Sequence, residues 1–279
     1  MLEAYRGKDT LTSMAYYGTV DTVTRLTPTL VRVVLGGDGL AGFTAPDATD
    51  TYVNVAIPPA GAPYGGVFEP AEVRETQPKE LWPARRRYTV RDWDGSRLTV
   101  DFVVHGDQGV AGPWAAGAKP GDVLVFEGPG SGFRPDPSAD WHLLVGDESA
   151  LPAIAASLEA VRAGSRAVVR LVCDGPAYEV PLTCPGELDL VWLHRTGSAA
   201  DVDLLADAVA DVDFPAGRVH AFVHGEADEI RAIRRHLISD RGVPRADMSC
   251  SPYWRRTMTD EAWRAVKREY VAAMDADVA

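Results

Sequence analysis

The chain has 279 residues, long for one domain and comfortable for two. Hydrophobic residues make up 46% and charged residues 24%, the balance of a globular protein, and the net charge of -12 opposes nucleic acid and anionic membrane surfaces as partners. No apolar run approaches the roughly 20 residues of a membrane span. No N-terminal stretch combines a basic start, an apolar run and a small-residue cleavage site. Cys173, Cys184 and Cys250 are odd in number and widely spaced, which argues against a disulfide framework or zinc site. The expectation is a reduced, cytoplasmic protein, monomeric because no apolar surface stripe is left over.

Residues 1–135 alternate like β-structure. Strands are expected at 19–23, 30–35, 52–57, 88–91, 98–104 and 123–126, separated by Gly, Pro and Asp turns, which suggests an antiparallel barrel or sandwich. Residues 58–84 read as a long structureless Pro/Gly-rich loop, covering a site or standing as a mobile insertion. Residues 134–140 read as a linker.

From residue 140 onward strands and helices alternate. Strands are expected at 142–146, 166–173, 188–194 and 218–224, and helices at 151–163, 200–210 and 226–241, a βαβ series with a parallel sheet. In the 226–241 helix Ile230, Ile233 and Leu237 face inward, while Arg231, Arg234 and Arg235 are solvated. A last helix starts near Thr259, an N-cap followed by Asp260 and Glu261, and docks through Trp263, Val266, Tyr270 and Met274. A β-barrel followed by a small α/β domain is the layout of flavin reductases of the ferredoxin-reductase type, a likeness of fold alone.

Three stretches carry chemistry. Arg86 and Tyr88 share a face of one strand, where an Arg fork suits a phosphate and Tyr88 and Thr89 suit a ring; the alternative is a basic edge strand. His105 opens a glycine-rich loop through Gly106, Gly109, Ala111 and Gly112, whose N–H groups could cradle a pyrophosphate. Trp114 beside it reads as core. The stretch HLLVGDESALPAI at 142–154 is a strand, a turn and a helix, with Gly146 allowing positive φ and close approach, and Pro152 in the first helical turn. Asp147 and Glu148 argue against a phosphate there, so a ring with a polar edge or a plain βα connection remains. His220 and His224 read as structural, lacking a third ligand nearby. Cys250 has no partner thiol. Arg195 ends a strand; it, Arg231 and Arg234 are candidates for a nucleotide 2′-phosphate.

Taken together, RRYTVR at 86–91, DFVVHG at 101–106, PGDVLVFEGPGS at 120–131, LLVGDESALPAI at 143–154, HGEADEIRAIRRHL at 224–237 and YWRR at 253–256 resemble the siderophore-interacting proteins, FAD-dependent ferric-siderophore reductases. The resemblance implies an FAD-binding β-barrel over 1–135 and an NAD(P)H-binding-type α/β domain over 140–279. It implies FAD held by Arg86, Tyr88 and Thr89 and by His105 through Gly112. Gly146, Asp147, Glu148 and Ser149 would lie near the nicotinamide and flavin rings, Gly225 and Glu226 near the nucleotide, and Tyr253 and Trp254 against the flavin. NADPH or NADH would supply hydride, Arg255 and Arg256 would bind a ferric siderophore, and no protein residue would ligate the iron.

The chain departs from the family's usual pattern at several positions. Gly112 replaces a Ser or Thr, at a cost of roughly 1 kcal/mol of hydrogen bonding. Asn54 stands where a Lys is common, Gly130 where an Arg is common, and Thr257 where a Gly is common. These departures leave two further expectations open: an FAD-binding relative acting on a non-siderophore substrate in a biosynthetic pathway, without net redox in one version, or a non-enzymatic siderophore-binding protein.

Overall fold

The computed structural model describes residues 15–278. Strands β1 (Tyr16–Thr27), β2 (Leu30–Gly36), β3 (Tyr52–Ile57), β4 (Ala84–Trp93), β5 (Leu98–Val103) and β6 (Val123–Gly130) close into an antiparallel barrel, ordered β1–β2–β5–β4–β3–β6. Alternation fills the barrel. Val31, Val33 and Leu35 of β2 and Leu98, Val100 and Phe102 of β5 point inward and are buried. Each buried aliphatic of this kind contributes about 1.5–3 kcal/mol. The short helix α2 (Ala111–Gly117) plugs the barrel with Ala111 and Ala115, and Trp114 packs beside Phe102 as expected of a core residue.

The second unit is a parallel sheet. Its strands are β7 (Trp141–Gly146), β8 (Arg166–Cys173), β9 (Glu187–His194), β10 (Val219–Glu226) and β11 (Met248–Trp254), ordered β11–β10–β7–β8–β9. Helix α3 (Leu151–Ala160) covers one face with Leu151, Ile154 and Leu158, and Val161 follows it into the same core. Helices α4 (Leu204–Ala210) and α5 (Ala227–Arg235) cover the other, with α6 (Asp260–Ala276) docked through Trp263, Tyr270 and Met274. The α3 side faces the barrel: Leu30 and Val103 join its core, Thr49 and Ser157 hydroxyls meet at 2.8 Å, and Arg91 forks onto Glu159.

Several expectations change. The 58–84 loop is not structureless: helix α1 (Pro70–Thr76) starts on Pro70, its N-cap Glu69 bonding the Ala71 N–H. The 134–140 segment is tied down, because Arg218 bonds both Asp136 and Ser138. Strand β11 was not expected; its sequence is polar and contains Pro252, which an edge strand tolerates. The 226–241 helix is α5 followed by a π turn over His236–Asp240. Arg234 is not solvated but bonds Asp275 and the Met274 carbonyl, and Arg231 forks onto Asp277, so both clamp α5 to α6. Among the described residues no helix is long and apolar enough to cross a membrane.

Candidate functional site

Where the barrel meets the parallel sheet lies a cavity of about 880 Å³, of a size that suits a cofactor. The barrel supplies Tyr52 and Asn54 from β3, Arg85 through Thr89 from β4, and His105 with the turn from Gln108 to Gly112. The α/β unit supplies the turn Asp147–Glu148–Ser149 after β7, Asp174 after β8 and Arg195 after β9. Strand β11 adds Tyr253 and Trp254, the turn after it adds Arg256, and α6 adds Asp260, Trp263, Arg264 and Lys267. The carboxyl ends of parallel strands are where open α/β sheets bind ligands.

The barrel wall is aromatic and basic. Tyr88 packs on Phe102 with ring centroids 4.4 Å apart. Burial holds the Tyr88 and Tyr253 phenols well above the usual tyrosine range, so both keep their protons as donors. Arg86 is already paired, to Asp260 at 3.2 Å and Glu261 at 2.6 Å in the first turn of α6. Arg87 instead lies over the Tyr52 ring, 4.3 Å from its centroid. Among the described residues neither Arg87 nor Lys267 forms an ion pair. Burial pulls the Lys267 ammonium below the usual lysine range, and the nearby charges of Arg87 and Arg264 add to that, in spite of Asp260. The exposed Arg87 and the half-buried Lys267, neither paired with a carboxylate, favour an anion.

Gly130 explains how Arg87 is held. A Cβ there would meet the Tyr52 ring at 2.4 Å and its hydroxyl at 2.5 Å, so glycine leaves room for the tyrosine on which Arg87 lies. Gly112 is similarly confined, its missing Cβ 3.0 Å from the Val103 carbonyl, so the first turn of α2 sits close against the barrel.

On the α/β side the carboxylates are engaged. Arg195 forks onto Glu148 at 2.6 and 2.9 Å and reaches Asp174 at 2.9 Å. Burial pushes the Glu148 carboxyl up, and the Arg195 fork opposes it. Asp147 is buried and accepts the Ser149 N–H and hydroxyl, the Glu226 N–H and the Trp254 indole N–H.

The residues singled out in the sequence divide. Arg86, Tyr88, Thr89, His105, Gly109, Ala111 and Gly112 line the cavity from the barrel; Asp147, Glu148, Ser149, Tyr253, Trp254 and Arg256 line it from the other side. Five lie behind that lining. Gly106 takes a positive-φ turn. Gly146 does not have positive φ; it is glycine because a Cβ would lie 2.6 Å from the His224 carbonyl. Gly225, at φ +149, makes room for the Asp147 carboxylate. Glu226 caps α5, accepting the Asp228 and Glu229 N–H groups. Arg255 turns away, toward the Tyr270 ring and Asp228. Of the candidate 2′-phosphate cations, only Arg195 lines the cavity. Sequence reasoning passed over Arg264 and Lys267; the signal for Lys267 was its place one turn beyond Trp263 on the same helix face.

Residues 19–133 match the siderophore-interacting FAD-binding domain and residues 139–257 match siderophore-interacting protein. The chain is 34% identical to a ferric vibriobactin reductase, ViuB, of Vibrio cholerae, over 84% of this chain and 87% of that one. The chain belongs to the siderophore-interacting protein family. It is 32% identical to an NADPH-dependent ferric-chelate reductase of Escherichia coli, over 85% of this siderophore-interacting protein and 91% of the relative. The crystal structure of the siderophore-interacting protein SipS from Aeromonas hydrophila superposes with a TM-score of 0.79 at 26% identity, covering 93% and 98% of the two chains. Ferredoxin-reductase-type flavoproteins share the barrel-and-sheet fold. This member of the family is an FAD-binding oxidoreductase.

The cavity fits FAD. Phenols and indoles suit its planar ring, the Thr89 and Ser149 side chains suit the ring's polar edge, and the cations suit its phosphates.

Proposed function

We propose that this siderophore-interacting protein uses NADPH or NADH to reduce Fe(III) held in an anionic siderophore, with FAD in the cavity between barrel and sheet. The observation that carries the reading is the shared cavity itself. The basic, aromatic wall of β4 and the carboxyl ends of β7, β8 and β9 open onto one space. When bound, FAD supplies acceptance of hydride from the nucleotide and delivery of single electrons to iron. Fe(II) suits hard oxygen ligands less well than Fe(III), so the chelate loosens on reduction.

The chain's own residues bind and orient. Tyr88 and Thr89 from the barrel, with Tyr253 and Trp254 from β11, would enclose the flavin. His105 and the Gly109–Gly112 turn would hold its pyrophosphate side. Glu148, Asp174 and Arg195 would meet the entering nucleotide. No protein group need act as general acid or base, because the flavin carries the electron transfer.

The substrate class follows from charge. Cations common in the family are missing at Asn54 and Gly130, and Arg255 faces away. Arg87, supported on Tyr52, and Lys267 from α6 would supply positive charge in their place. Each charge-assisted contact is worth about 1.5–3 kcal/mol. Arg87→Ala and Lys267→Ala are therefore expected to raise KM for a ferric catecholate or hydroxamate roughly tenfold or more each, at 1.4 kcal/mol per factor of ten. Steady-state reduction with a ferrous trap measures this, with the flavin content of each variant recorded. Variants that lose FAD rather than chelate affinity would reassign these cations to the cofactor. Unchanged KM would remove the anionic siderophore from the proposal and favour a different acceptor.

A further inference from the structure

We infer that Asp147 is a positioning residue for the redox site: its carboxylate fixes the Trp254 indole, and the fixed indole packs on the bound flavin. This rests on the reading that FAD occupies the cavity.

Asp147 is only 1% exposed, yet it sits in a turn that lines the cavity. Its two oxygens divide between two tasks. Oδ1 accepts the Ser149 N–H at 2.8 Å and the Ser149 hydroxyl at 2.5 Å, the bonds of an ordinary aspartate turn. Oδ2 accepts the Glu226 N–H at 2.9 Å and the Trp254 Nε1–H at 2.7 Å. The second pair is not local. It joins the end of β7 to the start of α5 and the end of β11, strands that bracket β10. Gly225 leaves space for it, since a Cβ there would stand 2.7 Å from Oδ2.

Trp254 is 37% exposed and ends the edge strand β11. An exposed tryptophan at such a place would sample several rotamers. Its one polar atom is instead held by a carboxylate, a charge-assisted bond stronger than a neutral one. The remainder of the indole lines the cavity. A turn needs only the Oδ1 pair, so the turn does not account for the Oδ2 pair; a side chain held in place at the cavity does. The chemistry also requires a carboxylate. An asparagine offers one oxygen, and its amide N–H₂ would face donors on the other side, leaving either Ser149 or Trp254 without a partner.

The test uses the full-length, FAD-loaded protein and the variants Asp147→Asn, Trp254→Phe and the double substitution. An indole in contact with a flavin quenches its emission by electron transfer, so Trp254→Phe is expected to brighten the bound flavin several-fold. Asp147→Asn is expected to brighten it as well, and the double variant to match Trp254→Phe. For hydride transfer from NADPH or NADH, kcat is expected to fall in both single variants. The double variant should fall no further than the worse single one, because the two residues act as a unit. Should Asp147→Asn fail to fold, Gly225→Ala pushes the same carboxylate off the indole and is read in the same way. Flavin emission unchanged by Trp254→Phe, or losses that multiply in the double variant, would overturn the inference while leaving the function intact. A wild-type protein that takes up no flavin would overturn both.

Discussion

Arg86 and Arg87 are neighbours on β4 with different partners, and the difference decides what each can do. Arg86 is neutralised by Asp260 and Glu261, while Arg87 lies on Tyr52 without a carboxylate. Their types and strand position were legible in the sequence; their partners were not, because α6 lies more than a hundred residues away in the chain. Gly130 makes the same point. Read alone, it is a lost cation; in the fold it makes room for the tyrosine that supports a cation one strand away. Gly225 was expected near the nucleotide; in the fold it stands behind the cavity lining and accommodates the Asp147 carboxylate. Gly225→Ala combines a Cβ clash with a φ of +149 that side chains rarely adopt. It is expected to destabilise the protein by about 1–3 kcal/mol and to lower the rate of nucleotide-driven flavin bleaching. Thermal unfolding and anaerobic stopped-flow absorbance check the two effects.

Helix α6 shows how one element can serve both stability and site. Thr259 caps it through the Ala262 N–H, Trp263 is buried and bonds the Tyr253 carbonyl, and Tyr270 bonds the Ala227 carbonyl and Asp228. The same helix brings Asp260, Arg264 and Lys267 to the cavity. Trp263→Ala is expected to cost about 3–5 kcal/mol and to weaken ferric-chelate binding along with stability, because it unseats Lys267; urea unfolding and chelate KM report the two losses. The helix was legible because its cap, acidic first turn and apolar spacing agree. Strand β11 was not, because Met248 through Trp254 has no β-branched residue and includes Pro252; it pairs only because β10 offers it a parallel edge. Helix α1 was hidden in a Pro/Gly-rich stretch whose local composition outweighed the single cap at Glu69.

At the scale of the whole molecule, period-two alternation before residue 135 and strand–helix alternation after it were enough to anticipate a barrel followed by a parallel sheet. The cavity between them was not readable residue by residue, since it depends on how the barrel leans on α3 through contacts such as Thr49–Ser157 and Arg91–Glu159. The core around that junction also carries a pH dependence. His142 and His224 are buried, and burial pulls them down from an ordinary value of 6.5 to about 4 and about 3. Both stay neutral in the fold while the unfolded chain binds their protons. Stability is therefore fully present above 6.5 and falls as pH drops toward those lowered values. The loss is expected to approach roughly 1.4 kcal/mol per pH unit for each histidine in that window. Urea midpoints compared at about pH 7 and about pH 5 check it; His142→Gln is expected to flatten the slope.

The measurement that bears most directly on the central claim is the absorbance spectrum of the purified protein, taken anaerobically as NADPH or NADH and then a ferric siderophore are added. Flavin bands that bleach with the nucleotide and return with the iron complex, as Fe(II) appears in a chelator trap, are the predicted result. Flavin bands that stay oxidised with either nucleotide, or that bleach and then ignore every ferric chelate, would contradict it.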